Sequence, residues 1–142
     1  LQIAFTRLFV AGFIGSPQMN FFAVTLKGTQ VTFADGNTIT LPDSIAQKLA
    51  DKQGEMTLGI RGEDIKMDSQ NLDLQRNQVQ RAVINNTEVM GNENNLYFEF
   101  GGSQAVARVS KYEISQLGDE IEFVFMPSKL HFFDKQTGES YL

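Results

Sequence analysis

The chain has 142 residues, 42% of them hydrophobic, with twelve phenylalanines and no tryptophan, enough for one domain that buries roughly 68 to 70% of the unfolded chain's surface. A formal charge of −5 repels phosphate backbones, so nucleic acid is not an expected partner. The lack of cysteine removes disulfides, thiolate nucleophiles and zinc ribbons together, and it suits the cytoplasm.

The apolar run at residues 8–14 falls far short of the roughly 20 residues that cross a bilayer, so no direct membrane insertion is expected. Residues 1–14 hold Ile3, Phe5, Leu8, Phe9, Val10, Phe13 and Ile14, and Gly15-Ser16-Pro17 then breaks the run. So many large apolar groups predict a segment that docks. Phe5, Leu8, Phe9, Phe13 and Ile14 are its candidate docking or dimer contacts, and a concentration-dependent homodimer is expected. The chain opens on Leu1 rather than methionine, which suggests a piece of a longer protein.

From residue 21 the pattern takes period two, with Val31 and Phe33 on one strand and Ile39 and Leu41 on the next. A three-residue loop over Asp35-Gly36-Asn37 pairs Phe33 with Ile39 and Val31 with Leu41, and places Asn37 at the left-handed bulge position. Ser44 and Gln47 have capping-box spacing, Ile45 and Leu49 share a helical face and Gly54 supplies a stop, which predicts one short helix. The polar residues 66–76 have weak periodicity and are the candidate for a long excursion between two lobes.

Alternation returns over residues 57–60, 79–89, 96–100, 105–109 and 121–125. Leu96, Phe98 and Phe100 form one apolar face and Ile121, Phe123 and Phe125 another, with Glu99 and Glu122 pointing away. Many short strands with one helix predict a mainly β barrel or sandwich, and the aromatic residues read as its core.

The search for chemistry is short. Gly54 and Gly59 have the glycine spacing of a phosphate-binding loop, but Ile60 and Arg61 occupy the positions that need lysine and a hydroxyl. His131 is the only histidine, so every two-histidine metal site or mechanism is excluded, and a contact or structural role is expected. Glu63-Asp64 and Asp119-Glu120 read as solvated charges, and the sequon Asn85-Asn86-Thr87 has no meaning in cytoplasm. No catalytic residue, cofactor ligand or metal ligand is assigned.

The run F-V-A-G-F-I-G-S-P-Q-M-N-F at residues 9–21 resembles the segment that joins the ATPase and regulatory domains in maltose-type sugar-importer ATP-binding subunits. L-G-I-R-G-E-D at 58–64, E-V-M-G-N-E-N at 88–94, V-A-R-V at 106–109, G-D-E-I at 118–121 and L-H-F-F-D at 130–134 resemble later landmarks of that family in the same order. The resemblance implies an OB-fold, TOBE-type β-barrel over residues 21–142. Residues 1–20 would then be a remnant of the junction to an ATPase domain, which holds ATP and magnesium.

It further implies a non-catalytic regulatory and dimerisation module of an ABC transporter subunit, peripheral to the inner face of the cell membrane. Its partners would be a twin copy, its own ATPase domain, the transporter's membrane subunits and a regulatory protein. Gly91, Asn92, Glu93, Asn94, His131 and Phe133 are the candidate regulatory or subunit contacts. The family usually has proline where Gly62 stands, so a looser turn is expected there, by about 0.4 to 1 kcal/mol of unfolded-state entropy. The alternative reading is an oxyanion or small-ligand binder of the molybdate-handling type, for which Arg76, Arg81 and Arg108 are the basic candidates.

Overall fold

β1 (Met19–Lys27) buries Phe22, Val24 and Leu26 while Ala23, Thr25 and Lys27 face solvent, the period-two signature of a half-buried strand. The structure is a computed structural model that describes residues 19–113 and 115–142. The N-terminal candidates Phe5, Leu8, Phe9, Phe13 and Ile14 lie outside the described residues. After β1 come β2 (Gln30–Phe33), β3 (Thr38–Thr40), helix α1 (Asp43–Lys48), β4 (Gly54–Arg61), a 3-10 turn (Gly62–Asp64) and β5 (Ile65–Lys66). Helix α2 (Ser69–Leu74), a 3-10 turn (Arg76–Gln78), β6 (Gln80–Val89), β7 (Glu93–Phe100) and β8 (Ser103–Ser110) follow. β9 (Glu120–Phe125), a 3-10 turn (Pro127–Lys129) and β10 (His131–Asp134) complete the order.

The strands form two antiparallel sheets, β10-β4-β1-β2-β3 and β5-β9-β6-β7-β8. Their inner faces share one core. Phe22 and Phe33 of the first sheet meet Phe100 and Phe125 of the second, with Phe33 and Phe100 centroids 5.0 Å apart and Phe100 and Phe123 5.2 Å apart. Burying each ring contributes roughly 1.5 to 3 kcal/mol, and the edge-on pairs add about 0.5 to 1.5 kcal/mol each. The rings expected to be core are core: Phe98, Phe100, Phe123 and Phe125 are all buried.

Two side-chain seams join the sheets and give the barrel-like enclosure. At one, buried Asn20 of β1 donates through Nδ2 to the carbonyls of Ile60 and Val106 and accepts the Val106 N–H at 2.8 Å. At the other, Gln78 Oε1 accepts the Thr40 N–H at 2.7 Å and Gln80 Nε2 donates to the Thr38 carbonyl at 2.9 Å. Each seam gives backbone groups of one sheet a side-chain partner from the other side of the barrel.

Four local expectations are corrected. The β2–β3 loop is Ala34-Asp35-Gly36, because Val31 pairs with Ile39 and the Phe33 N–H donates to the Asn37 carbonyl. Gly36 rather than Asn37 takes the positive φ, 92°, since glycine has no Cβ penalty there. The two-residue change of register preserves which faces are buried.

The capping box does not form. The N-cap of α1 is Pro42, whose carbonyl accepts from Ile45 and Ala46, so Ser44 sits inside the first turn and no side chain caps it. Leu49 is fully buried as expected, whereas Gly54, with φ 106°, opens β4 rather than ending the helix.

Residues 66–76 are not irregular. They hold a second helix, α2, nucleated where the Asp68 carboxylate accepts the Asn71 N–H and side-chain amide. That engagement, chiefly the side-chain bond, holds the Asp68 carboxyl below its ordinary value. α2 packs against β9, where Val124 is fully buried although alternation points it outward.

Gly62 is not a loosened turn. It is buried, its φ is not positive, and an added Cβ would lie 2.8 Å from the Val106 carbonyl oxygen and 3.2 Å from the Arg108 nitrogen. β8 passes so close there that a Cβ would force the backbone of one segment or the other to shift.

Candidate functional site

The β6–β7 hairpin carries four of the candidate contacts, and the structure divides them between turn and strand. Met90 and Glu93 flank the turn, with the Met90 N–H donating to the Glu93 carbonyl at 2.9 Å. Gly91, with φ 87°, stands at the first central position, where a two-residue hairpin of this kind requires glycine. Asn92 completes the turn. Glu93 and Asn94 open β7, opposite Ser110 and Val109 of β8, so only Gly91 and Asn92 are loop. The side chains of Asn92 and Glu93 are exposed, and that of Asn94 is half-buried.

Below the turn lies a polar set that sequence reasoning missed. Glu88 Oε1 accepts from Asn95 Nδ2 at 2.9 Å and from the Tyr97 hydroxyl at 3.1 Å. The same Asn95 nitrogen donates to Met90 Sδ at 3.0 Å. Desolvation, then the bond to Glu88, pushes the Tyr97 hydroxyl pKa up. The available signal was the alternation itself, which sets Asn95 and Tyr97 opposite buried Leu96 and Phe98 and facing Glu88 across the ladder.

His131 and Phe133 lie on the other sheet, in β10 beside β4, so the two candidate sets occupy different sheets. The rings stack at 6.3 Å and 19°, and Phe21 meets Phe133 edge-on at 6.0 Å. Phe133 is buried over Gly59, where a Cβ would approach its ring to 3.0 Å and Met19 Sδ to 2.7 Å. Its ring therefore packs rather than projects. His131 is half-buried, and burial, reinforced by the Arg61 charge, pulls its pKa down.

The three basic candidates do not converge. Arg76 pairs with Asp73 at 2.8 Å and Arg81 with Glu122 at 3.0 Å, along one surface concavity. Arg108 lines a separate recess with Lys66, Ser110 and Tyr112. The glycine pair Gly54 and Gly59 bounds an extended stretch of β4, not a loop whose amides wrap phosphates, so these residues do not fit ATP. Among the described residues no group of three or more metal-type side chains comes together, and no helix is long and apolar enough to cross a membrane.

The comparisons with known proteins agree with this architecture. Residues 15–65 match the MalK OB fold domain and residues 58–133 the TOBE domain. The multiple sugar-binding transport ATP-binding protein MsmK of Streptococcus mutans is 35% identical over 132 residues, covering 91% of this chain and 35% of that protein. The osmoprotective compounds uptake ATP-binding protein GgtA of Synechocystis is 38% identical over 137 residues, covering 92% of this chain and 36% of that protein.

This chain thus spans about a third of the length of its curated relatives. Among solved structures, the cytoplasmic molybdate-binding protein ModG shares the fold, with a TM-score of 0.63 at 15% identity over 80% of this chain and 94% of that one. The chain belongs to the TOBE domain family and carries, overlapping it, the MalK OB fold domain found in ATP-binding subunits of sugar ABC importers.

Proposed function

We propose that this chain is the non-catalytic regulatory and dimerisation part of the ATP-binding subunit of an ABC importer for sugars or related small solutes. One observation carries the reading: the match covers over nine-tenths of this chain but about a third of each ATP-binding relative. ATP, magnesium and hydrolysis then belong to the remaining part of the subunit. In this reading the chain works in the cytoplasm, against the inner face of the membrane, through contacts with its twin, the ATPase domain and a regulatory protein.

The β6–β7 turn is the contact element in this reading, because Asn92 and Glu93 present free side chains from a rigid ladder. The test is Glu93→Lys in the full ATP-binding subunit. Transport control or subunit pairing changes while basal ATP hydrolysis stays at the parent rate. Unchanged control and unchanged pairing would overturn the assignment.

The oxyanion reading draws support from the ModG fold alone, and the carboxylates already on Arg76 and Arg81 weigh against it. Titration calorimetry with molybdate, sulfate and maltodextrins separates the two. Saturable micromolar binding of an oxyanion would favour the second.

A further inference from the structure

The five methionines differ sharply in access. Met56 is 1% exposed, Met19, Met67 and Met126 are half-buried, and Met90 at the β6–β7 turn is 53% exposed beside Val89. Its sulfur nevertheless belongs to the hairpin's bonding. Sδ accepts from the Nδ2 of Asn95, a residue only 2% exposed, and that nitrogen also donates to Glu88. Asn95 Oδ1 has no hydrogen-bond partner. An exposed methionine is thus wired through its sulfur to a buried amide.

We propose that Met90 is a modification site for peroxides, and that its sulfoxide alters the hydrogen bond Met90 accepts from Asn95 beneath the β6–β7 turn. A sulfur lone pair attacks one peroxide oxygen, the O–O bond breaks, and the departing hydroxide collects the proton and leaves as water. Sulfur is oxidised by two electrons and peroxide is reduced to water. The sulfoxide oxygen accepts hydrogen bonds far more strongly than the thioether, and the side chain changes from apolar to polar.

It therefore strengthens the pull on the Asn95 N–H that the sulfur already receives, while the second N–H and the Tyr97 hydroxyl remain on Glu88. A sulfoxide reductase reverses the change. The step depends on the hairpin's own geometry and stands whether or not the turn is a partner contact.

The full chain is treated with hydrogen peroxide, its peptides are mapped by mass spectrometry over time, and asparagine side-chain amides are followed by NMR. The Met90 peptide gains one oxygen first, about tenfold faster than the Met56 peptide, and the Asn95 amide pair shifts in step. Methionine sulfoxide reductase restores both signals. Met90→Leu abolishes the fast phase and leaves the Asn95 amide unmoved by peroxide. Earlier oxidation of another methionine overturns the proposal. So does an Asn95 amide that ignores Met90 oxidation, or one that shifts equally in Met90→Leu.

Discussion

The carboxylate of Asp35 accepts the backbone N–H of Gly101 at 2.7 Å, tying the β2–β3 turn to the β7–β8 turn across 66 residues of sequence. The same side chain accepts the N–H of Asn37 at 3.0 Å and its side-chain amide at 2.8 Å. Gly101 must be glycine: its φ is 65° and a Cβ would lie 2.7 Å from the Phe33 ring. Asp35→Ala leaves that partly buried N–H without its acceptor and lowers stability by about 1 to 2 kcal/mol. A fall in the urea midpoint at constant slope is the expected signature.

Asn20→Leu removes three bonds at the first seam and strands both the N–H and the carbonyl of Val106. Leaving these partly buried backbone groups unpaired makes this the most damaging single change proposed, about 2 to 4 kcal/mol by denaturant unfolding. Asn20→Asp keeps the acceptor for the Val106 N–H but loses both donors, and it recovers only part of the loss.

Gly62→Ala places a methyl group against the Val106 carbonyl and destabilises by about 1 to 3 kcal/mol, as overpacking does. Gly62→Pro is destabilising too, the opposite of the entropic gain a compatible proline brings. Chemical denaturation of both variants beside the parent settles the sign.

Acid stability depends on Asp134. Its carboxylate accepts the N–H groups of Thr137 and Gln136 and the Tyr141 hydroxyl, which hold its pKa down to about 2 from 3.8. A depressed folded-state value means stability that is complete above the unfolded pKa and lost as pH falls from about 4 towards 2. Asp134→Asn flattens that limb of the stability–pH curve.

Tyr141 shifts the other way. Desolvation, then the Asp134 bond, raises its pKa above 10.0, so its contribution is complete below pH 10 and fades in stronger alkali. Thermal melts from pH 2 to 11 check both limbs.

His131 titrates below its ordinary value because burial and Arg61 oppose the imidazolium. Its linked stability is therefore complete above about pH 6.5 and declines as pH falls through the folded value. Arg61→Gln raises the His131 pKa, which an NMR titration of the ring protons reads directly.

The sheets were legible in the sequence because alternation is a direct imprint of one buried face, as in Leu96, Phe98 and Phe100. What was not legible depended on contacts distant in the chain. Val124 breaks the alternation, fully buried at an outward position of β9, the strand that α2 packs against. Gly62 is fixed by a strand over 40 residues later, which no local pattern reports. Asn95 and Tyr97 alternate with the apolar core residues of β7, yet Asn95 is buried, and the Glu88 side chain opposite makes them a set. Gly91 was readable as a turn because its requirement is local backbone geometry. Phe133 was not readable as packed, because the bare Gly59 beneath it is 74 residues away.

The two seams also set an order of events in folding. Within each sheet the hairpins β1–β2, β2–β3, β6–β7 and β7–β8 join neighbours in sequence, so their loop-closure cost is small. The Asn20–Val106 seam spans 86 residues and the Gln80–Thr38 seam 42, and each depends on side-chain amides rather than a ladder. Such distant closures are slow to find and contribute late, so variants at Asn20 and Gln80 chiefly speed unfolding and leave the refolding rate near the parent's. In the native state the barrel then opens along these lines first. The Val106 and Thr40 amides exchange with deuterium through seam opening, well before the ladder amides of β1 and β4 that only global unfolding releases.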